Sequence, residues 1–369
     1  MVDMIRSAET EALLKAVHDF ADKRIRPLAL DDPRALGSIA AGMRAMGIAS
    51  PIPVELGGQG LLSHLDLALV AEELARADAG VAFDFVAGAH AATLVARCGT
   101  DVQRQQVAEA VQLDPLGRGT LLLYEGFGRT PPDLHTTWHE ETSTLTGRKS
   151  AVPRASSARF GVVAANAAGR LVCLLLPEEA LRSGRILRDD YESGILGLRA
   201  ARSGVVEFSG PLAGASVLAG TDAVEVAREI ASFRLSVAGI AVGVAAEAMD
   251  YAARYAANRT AFGRSIASFQ GVAFPLAEVS MAVDAARLGV YNAIHMLPTH
   301  DVEALNTTTS DAVNRAMNVA GRATLVAINS LGGHGYLEDH PVERYYRDAI
   351  TLTAVDFDPL DEPWTVAAL

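Results

Sequence analysis

The chain has 369 residues, of which 50% are hydrophobic and 21% charged, and its formal net charge is -12. This length suggests about two to three domains with a large buried core, while the acidic balance argues against general binding to nucleic acid or anionic membranes. We expect no membrane segment and a cytoplasmic location, because the longest apolar run, near residues 235–246, is too short to cross a bilayer and the first residues lack a charged-then-apolar leader.

Residues 8–112 are predicted to form helices. Apolar residues recur there at steps of three and four, for example at Leu13, Val17 and Phe20. The glycines of the segment PVELGGQG (53–60) permit the tight turn that separates one helix from the next.

Residues 113–222 change to short β-rich runs, and four of these runs are predicted strands. They are TLLLY (120–124), FGVVAA (160–165), RLVCLLL (170–176) and GVVEF (204–208). Gly, Pro, Asp and Ser separate them at a spacing typical of a small antiparallel barrel or sandwich. We therefore expect a separate middle β domain.

Residues 223–369 return to long helices rich in small residues. The first one, near residues 231–259, is apolar on most of its circumference, as expected for a helix enclosed by others. The sequence thus predicts a mostly helical α+β protein with three domains. They are an N-terminal helical domain (1–112), a middle antiparallel β domain (113–222) and a C-terminal helical bundle (223–369).

Cys98 and Cys173 are the only cysteines, and neither has a second cysteine or a histidine at ligand spacing. They are predicted to be buried packing residues, so we expect neither a disulfide nor a metal site. P-loop, HExxH and GxSxG signatures are also absent from the sequence, which gives no support to kinase or hydrolase activity.

The segment RTAFGRSIASFQ begins at Arg259 and carries groups suited to a nucleotide. Arg259 offers a fork for phosphate, Phe262 offers a ring on which adenine can stack, and Gln270 offers a carboxamide. Taken alone, however, the segment is better explained as a helix end with a glycine stop.

The segment LGGHGYLEDHPVERYYRDA begins at Leu331. Its Gly332 and Gly333 can bring backbone N–H groups close to a phosphate. It misses the dinucleotide fingerprint, because Glu338 occupies the position of the third glycine. Taken alone, it is better explained as a turn between helices.

Together the two segments resemble the signature of the acyl-CoA dehydrogenase family, flavoenzymes that remove two hydrogens across the α and β carbons of a thioester. PVELGGQG and EELARADAG (72–80) resemble motifs of the same family, and the resemblance covers nearly the whole chain. It implies FAD as the cofactor and an acyl-CoA or acyl-carrier-protein thioester as the substrate. It also implies electron-transfer flavoprotein as the electron acceptor and an oligomer, dimer or tetramer, built around shared FAD sites.

The resemblance implies that six residues contact FAD held by a neighbouring subunit, at its adenosine and pyrophosphate half. They are Arg259, Phe262 and Gln270 of the first segment and Asn329, Gly332 and Gly333 of the second. Asn329 stands where the family usually has a Gln. The charged residues within 343–348 are expected to form a structural salt-bridge network.

The chemistry of the family needs a carboxylate that takes the α-proton while the flavin accepts the β-hydride. Counted from the Arg-Asp-Ala motif, Asp356 falls where the family has the glutamate of a Tyr-Glu-Gly-Thr turn. Some members place the base just before an Arg that aligns with Arg234, but here that residue is Phe233. Asp356 is therefore the candidate base, one methylene shorter than Glu, and Arg234 is expected near the active site.

Two loops that line flavin and substrate in the family are altered. The family's TEPxxGSD loop is YEGFGRT (124–130) here, and its Trp-Ile-Thr or Trp-Ile-Ser pattern is replaced within SAVP (150–153). The sequence assigns no role to Arg129, Arg154 or His334.

Two main hypotheses follow from which motif residues of the family this chain keeps and which it lacks. The chain is either a working acyl-CoA dehydrogenase with Asp356 as its base, or the degenerate partner subunit of a heteromeric dehydrogenase. We favour the partner subunit, because the retained residues are those that members lend to a neighbour's FAD. A flavin-free protein that binds a CoA ester is a third hypothesis. The sequence does not identify the acyl group.

Overall fold

The structure of the chain is a computed structural model. It describes residues 7–28, 33–48, 53–56, 58–60, 62–113, 119–126, 134–188, 195–218 and 223–355. Helices occupy both ends of the described chain and a sheet lies between them, so the predicted fold class is confirmed. The domain boundaries stay a prediction.

The described chain begins with five α-helices. They are α1 (Ala8–Phe20), α2 (Pro33–Ala45), α3 (His64–Ala77), α4 (Ala79–Cys98) and α5 (Asp101–Leu113). Side chains cap the starts of α3 and α4: Ser63 accepts a hydrogen bond from the backbone N–H of Asp66, and Asp78 accepts one from that of Val81. These caps satisfy backbone donors that a helix leaves free at its first turn.

Eight strands form one sheet in the middle of the chain. They are β1 (Gly119–Leu122), β2 (Thr137–His139), β3 (Thr144–Pro153), β4 (Phe160–Ala167), β5 (Arg170–Pro177), β6 (Arg185–Arg188), β7 (Ser203–Pro211) and β8 (Ser216–Val217). The order is β6-β7-β3-β2-β4-β5-β8, with β1 beside β4, and a short helix α6 (Glu178–Ser183) follows β5.

The predicted strands correspond to β1, β4, β5 and β7, and the sequence interpretation missed the other four. The expectation of a purely antiparallel sheet was wrong at β4, which runs parallel to β1 and pairs with β2 in the same sense at Thr137 and Asn166. Strands that are distant in sequence can pair in parallel because no hairpin fixes their direction.

The central strands are buried on both faces. In β1, Leu122 packs in the core of the β domain, whereas its neighbour Leu121 packs against the helices. In β4, Val163 likewise packs in the core of the β domain and Val162 packs against the helices. Successive side chains of a strand point to opposite faces, so this alternation joins the sheet to the helical core.

The last third returns to helices. In chain order it contains α7 (Ala223–Asn258), a hairpin of β9 (Thr260–Ala261) and β10 (Arg264–Ser265), α8 (Gln270–Met296), α9 (Val302–Leu331), a 3-10 segment (Gly332–Tyr336) and α10 (Val342–Leu352).

Among the described residues, two helices, α4 and α7, are long and apolar enough to cross a membrane by length and composition alone. The sequence interpretation considered only the uninterrupted apolar run near residues 235–246, which is shorter than α7. In the fold, 89% of the apolar window of α4 and 100% of that of α7 are buried inside the protein. Both are core helices of this structure.

Helix α7 approaches α3 at two glycines. A Cβ atom built on Gly243 would lie 2.3 Å from the backbone oxygen of Glu72, and one built on Gly239 would lie 2.9 Å from that of Ala68. Backbone atoms cannot move aside as a flexible side chain can, so these positions require glycine for the packing.

We expect Gly243→Ala to lower the free energy of unfolding by about 1–3 kcal/mol, because the added methyl forces α3 and α7 apart. Gly289→Ala in α8 is the matched control, since a Cβ there meets no atom within 4 Å and alanine favours the helix. Chemical denaturation of both variants measures the difference. Equal stability of the two variants would contradict the close packing.

Candidate functional site

A cleft opens where helix α4, the sheet, helix α7 and the end of the described chain meet. It encloses about 310 Å³ of space, counting open solvent at its mouth. Its lining residues are Phe83, Leu121, Leu123, Tyr124, Ser150, Ala151, Phe233 and Val355. Segments that are far apart in sequence thus converge on one largely apolar cleft.

A bulge in β3 forms the sheet side of the cleft. The pairing of β3 with β7 loses its register between Lys149 and Val152, and Ala151 between them has a φ of 52°. The backbone N–H of Ser150 donates to the carbonyl oxygen of Tyr124 at 2.8 Å. Bulges re-aim side chains next to functional sites, and this one places Ser150 and Ala151 in the cleft.

A buried ion pair lies next to the bulge and stabilises this wall of the cleft. The Nζ atom of Lys149 lies 2.7 Å from Oε1 of Glu125 and donates to the carbonyl oxygen of Leu123 at 3.1 Å. Glu125 also accepts the backbone N–H groups of His135 and Thr136. Burial lowers the pKa of Lys149 to about 8, although the carboxylate of Glu125 opposes the change. These contacts give the pair a structural role, since Lys149 has no exposed surface.

Phe233, the residue before Arg234, lies in the wall of the cleft. Its side chain is 6% exposed and lines the cleft. Its ring meets the ring of His90 edge-on, with centroids 5.7 Å apart. This position therefore supplies an aromatic wall to the cleft and no base.

Arg234, expected near the active site, is buried beside the next helix. Its Nη1 atom lies 3.4 Å from Oγ of Ser310 on α9, and it is not among the residues that line the cleft. Consecutive residues point about 100° apart around a helix, which explains why Phe233 and Arg234 face different neighbours. Its part in catalysis stays a prediction.

Asp356, the candidate base, lies outside the described residues. The preceding residue, Val355, is buried and lines the cleft. The chain therefore reaches the cleft at the position just before Asp356, and the role of Asp356 stays a prediction. Arg129 also lies outside the described residues.

The segment that begins at Arg259 forms an exposed hairpin. Phe262 and Gly263 make its turn, with φ angles of 51° and 79°, as two-residue hairpin turns require. The side chain of Phe262 is 96% exposed, and its ring meets that of Phe269 edge-on at 6.2 Å. The guanidinium of Arg264 lies 4.1 Å from the centre of the Phe269 ring. The hairpin thus presents an aromatic and cationic surface to solvent.

The glycine segment after α9 lies at the same end of α7. The hydroxyl of Tyr255 on α7 is 3.3 Å from Nδ1 of His334, and the carbonyl oxygen of Tyr255 accepts the backbone N–H of Arg259. The hydroxyl of Tyr251 is 2.7 Å from Nδ1 of His340. The two histidines, to which the sequence gave no role, therefore hold the glycine segment against α7.

All six residues predicted to contact a neighbour's FAD are exposed. Arg259, Phe262 and Gln270 belong to the hairpin and the start of α8, while Asn329 lies in the last turn of α9 and Gly332 and Gly333 begin the 3-10 segment after it. Helix α7 brings both groups to one end of the molecule. Their role as cofactor contacts stays a prediction.

Arg154, also without a role from the sequence, ties the sheet to α4. Its Nε donates to a carboxylate oxygen of Asp84, and its backbone N–H points to the carbonyl oxygens of Ala201 and Arg202. The 70 residues between Arg154 and Asp84 hide this pair from sequence interpretation. Among the described residues, no group of three potential metal ligands occurs.

The predicted salt-bridge network lies on α10. Arg347 donates to both carboxylate oxygens of Glu343, at 2.7 and 3.0 Å. Asp348 is buried and accepts the backbone N–H of Leu198 at 2.7 Å. Burial, and next the charge of Asp78, raise the pKa of Asp348 from 3.8 to about 7.

The stability of the chain should therefore depend on Asp348 between about pH 4 and pH 7. In that window the folded protein keeps a proton that the unfolded chain has released, so the contribution of Asp348 to stability is present below pH 4 and is lost as pH rises through 7. We expect Asp348→Asn, which mimics the protonated acid, to flatten this decline. Urea denaturation across the window measures it.

The exposed Asp339→Asn is the control and should leave the pH dependence unchanged. An unaltered slope in Asp348→Asn would assign the titration to another group.

Comparison with known proteins decides the family. The family model "Acyl-CoA dehydrogenase, N-terminal domain" matches residues 7–112, and "Acyl-CoA dehydrogenase, C-terminal domain" matches residues 220–356. The probable acyl-CoA dehydrogenase YngJ of Bacillus subtilis is 30% identical over 366 residues, which cover 92% of each chain. This chain belongs to the acyl-CoA dehydrogenase family.

Other relatives agree. The mitochondrial short-chain specific acyl-CoA dehydrogenase of Bos taurus is 28% identical and aligns with 92% of this chain and 85% of its own. The caffeyl-CoA reductase-Etf complex subunit CarC of Acetobacterium woodii is 25% identical over 95% of both. Butyryl-CoA dehydrogenase from Megasphaera elsdenii shares the fold, with a TM-score of 0.80 over 95% of both chains at 24% identity.

The family consists of FAD-dependent oxidoreductases, and the residues of this chain suit the two halves of FAD unequally. At the end of α7, an exposed aromatic ring, an arginine and a glycine segment suit adenosine and pyrophosphate. The cleft is less suitable for the ring system. Only about 10 Å³ of the cleft is open to the centre of a water-sized molecule, far below the roughly 300–1,000 Å³ of small-molecule sites, and the bulky side chains of Phe83, Tyr124 and Phe233 line it.

The sequence interpretation missed Phe83 as a residue of the cleft. Within α4 it follows the same apolar spacing as the core residues around it, so no local signal separates it from them. Only the convergence of α4 with the sheet and α7 reveals its position.

Proposed function

We propose that this chain is a partner subunit in a heteromeric acyl-CoA dehydrogenase, where it lends contacts to FAD held by a neighbouring subunit. The observation that carries the proposal is the contrast between the exposed hairpin and the cleft. Phe262 is 96% exposed, whereas the eight described residues of the cleft lining include no carboxylate. A phenyl ring so exposed is readily explained if another molecule covers it.

An apolar stripe beside the hairpin supports association. Phe274, Met281 and Leu288 lie seven residues apart on α8, and their side chains are 62%, 67% and 53% exposed. Residues at this spacing lie on one face of a helix. Exposed apolar patches of this kind mark association surfaces, and the stripe begins about one turn into α8, nine residues after the end of the hairpin.

The proposed assembly oxidises an acyl thioester, presented by CoA or a carrier protein, across its α and β carbons. FAD supplies the hydride acceptor when it is bound, and electrons then pass to electron-transfer flavoprotein. The name of the CarC relative as a subunit of a reductase-Etf complex supports this acceptor. The assembly is expected in the cytoplasm, without nucleic acid or membrane.

The second candidate is a working dehydrogenase in which Asp356 removes the α-proton. The position of Val355 in the cleft favours it, because the next residue is then close to where a substrate would bind. The absence of a carboxylate at Phe233 would leave Asp356 to carry that step.

Phe262→Ala is expected to raise the dissociation constant of FAD in the assembly by about tenfold to a hundredfold, since stacking of a base on an aromatic ring contributes about 1–3 kcal/mol. The chain would be co-expressed with a dehydrogenase-like subunit that has an intact Tyr-Glu-Gly-Thr turn, and FAD affinity would be measured by fluorescence titration. Val102→Ala, at a 69% exposed residue of α5, is the control. Equal affinities for both variants would argue against the lending role.

Asp356→Asn separates the two candidates. In a partner subunit, the substitution should leave acyl-CoA turnover of the purified assembly within about twofold of the wild type. If Asp356 is the base, turnover should fall by at least about a hundredfold, because the proton acceptor is lost. Reduction of an electron-acceptor dye by the assembly measures the rate, and the second result would overturn the partner proposal.

A further inference from the structure

Six polar residues lie at matching helical spacing on the packed helices α4 and α7. They are His90, Thr93 and Arg97 on α4, and Glu229, Ser232 and Ser236 on α7. Within each helix they stand at positions i, i+3 and i+7, which share one face.

Two contacts fix the order of these residues across the interface. His90 Nε2 lies 3.0 Å from Oγ of Ser236, and Nε of Arg97 lies 3.3 Å from Oε1 of Glu229. The early residue of one helix therefore meets the late residue of the other, as in antiparallel helices. By their spacing, the middle residues of the two faces lie between these contacts.

Four polar atoms of this cluster have no hydrogen-bond partner among the described residues. They are Nδ1 of His90, Oγ1 of Thr93, Oγ of Ser232 and Oε2 of Glu229. All four side chains are fully buried. Buried polar groups are nearly always hydrogen-bonded in native proteins, so four unpartnered atoms along one interface indicate partners that the surrounding side chains do not supply.

The chemistry of the four atoms restricts these partners. Burial opposes ionisation of Glu229, but the hydrogen bond of His64 and the charge of Arg97 leave its pKa below the ordinary value. The ionised Glu229 needs a donor and would repel a carboxylate. Burial lowers the pKa of His90 to about 3, so its neutral ring needs one donor and one acceptor. A hydroxyl group, which both donates and accepts, suits every atom of the set.

We propose that the space between α4 and α7 is a binding site for hydroxyl groups, occupied by ordered water in the free chain. The site begins directly behind Phe233, whose ring separates His90 from the cleft. At its other end, Glu229 contacts His64 and Arg97, whose side chains are 11% and 34% exposed. The site therefore extends from the wall of the cleft towards solvent.

A second source of the same chemistry is a hydroxyl at the far end of an acyl group held in the cleft. This source rests on the proposed function, because it requires that the cleft accept an acyl thioester. Water does not depend on that function. The experiment must therefore distinguish the free chain from the chain with a thioester.

The test compares the melting temperatures of Thr93→Val and the wild type. Valine keeps the shape of threonine and removes its hydroxyl. If the hydroxyl binds water, its loss removes a hydrogen bond, and the melting temperature should fall by about 1–4 °C. If the site is dry, removal of an unpartnered hydroxyl relieves its burial cost, and the melting temperature should rise.

Two further variants check that the direction of the change in melting temperature reports on the hydroxyl group. Thr324→Val is the matched control, since Thr324 is fully buried and its hydroxyl donates to the carbonyl oxygen of Ala320 at 2.8 Å, so its melting temperature should fall. Ser232→Ala tests the facing helix, and its melting temperature should fall with that of Thr93→Val. A rise in both Thr93→Val and Ser232→Ala, while the control falls, would rule out ordered water as the occupant in the free chain.

The same measurements with 4-hydroxybutyryl-CoA or butyryl-CoA distinguish the two sources. A fall in melting temperature without any thioester identifies water. A rise without thioester that becomes a fall only with 4-hydroxybutyryl-CoA identifies the acyl hydroxyl. A rise under all three conditions overturns the hydroxyl site. If neither thioester raises the melting temperature of the wild type, this chain has no acyl site. The result for water in the free chain does not depend on that outcome.

Discussion

Helix α7 is buried along its apolar window because small residues let α3 and α4 pack against it. Gly239 and Gly243 face backbone oxygens of α3 at distances that leave no room for a side chain. Three separate features then take their positions from this one helix. Phe233 forms part of the cleft wall, the polar face around Ser232 meets α4, and the hairpin with Phe262 continues from its last turn.

The two ends of this arrangement differ in chemistry. The cleft is enclosed mostly by aromatic and aliphatic side chains, and Phe233 forms part of its wall. The hairpin end is open, with Phe262 and the glycine segment facing solvent. In a chain that completes its own active site, we would expect a larger cleft that contains reactive side chains. The contrast is what favours a subunit that completes a neighbour's site.

Much of this fold could be predicted from the sequence, because the helical spacing and the short β-rich runs of β1, β4, β5 and β7 are local signals. The sequence also indicated a helix end near Arg259, but it did not reveal the hairpin that follows. It could not reveal β3 as a strand with a bulge, since its turn-like glycine and proline obscure the pattern. Nor could it join Arg154 to Asp84 or Phe83 to the cleft, because these contacts depend on how distant elements pack.

The most direct test of the account is the amount of FAD per chain in the protein purified alone, measured by absorbance after denaturation. If this chain lends contacts to a neighbour's cofactor and its own cleft does not hold the ring system, the ratio should be close to zero. A ratio close to one FAD per chain would contradict the account, because the cleft behind Ser150 and Ala151 would then hold a flavin of its own.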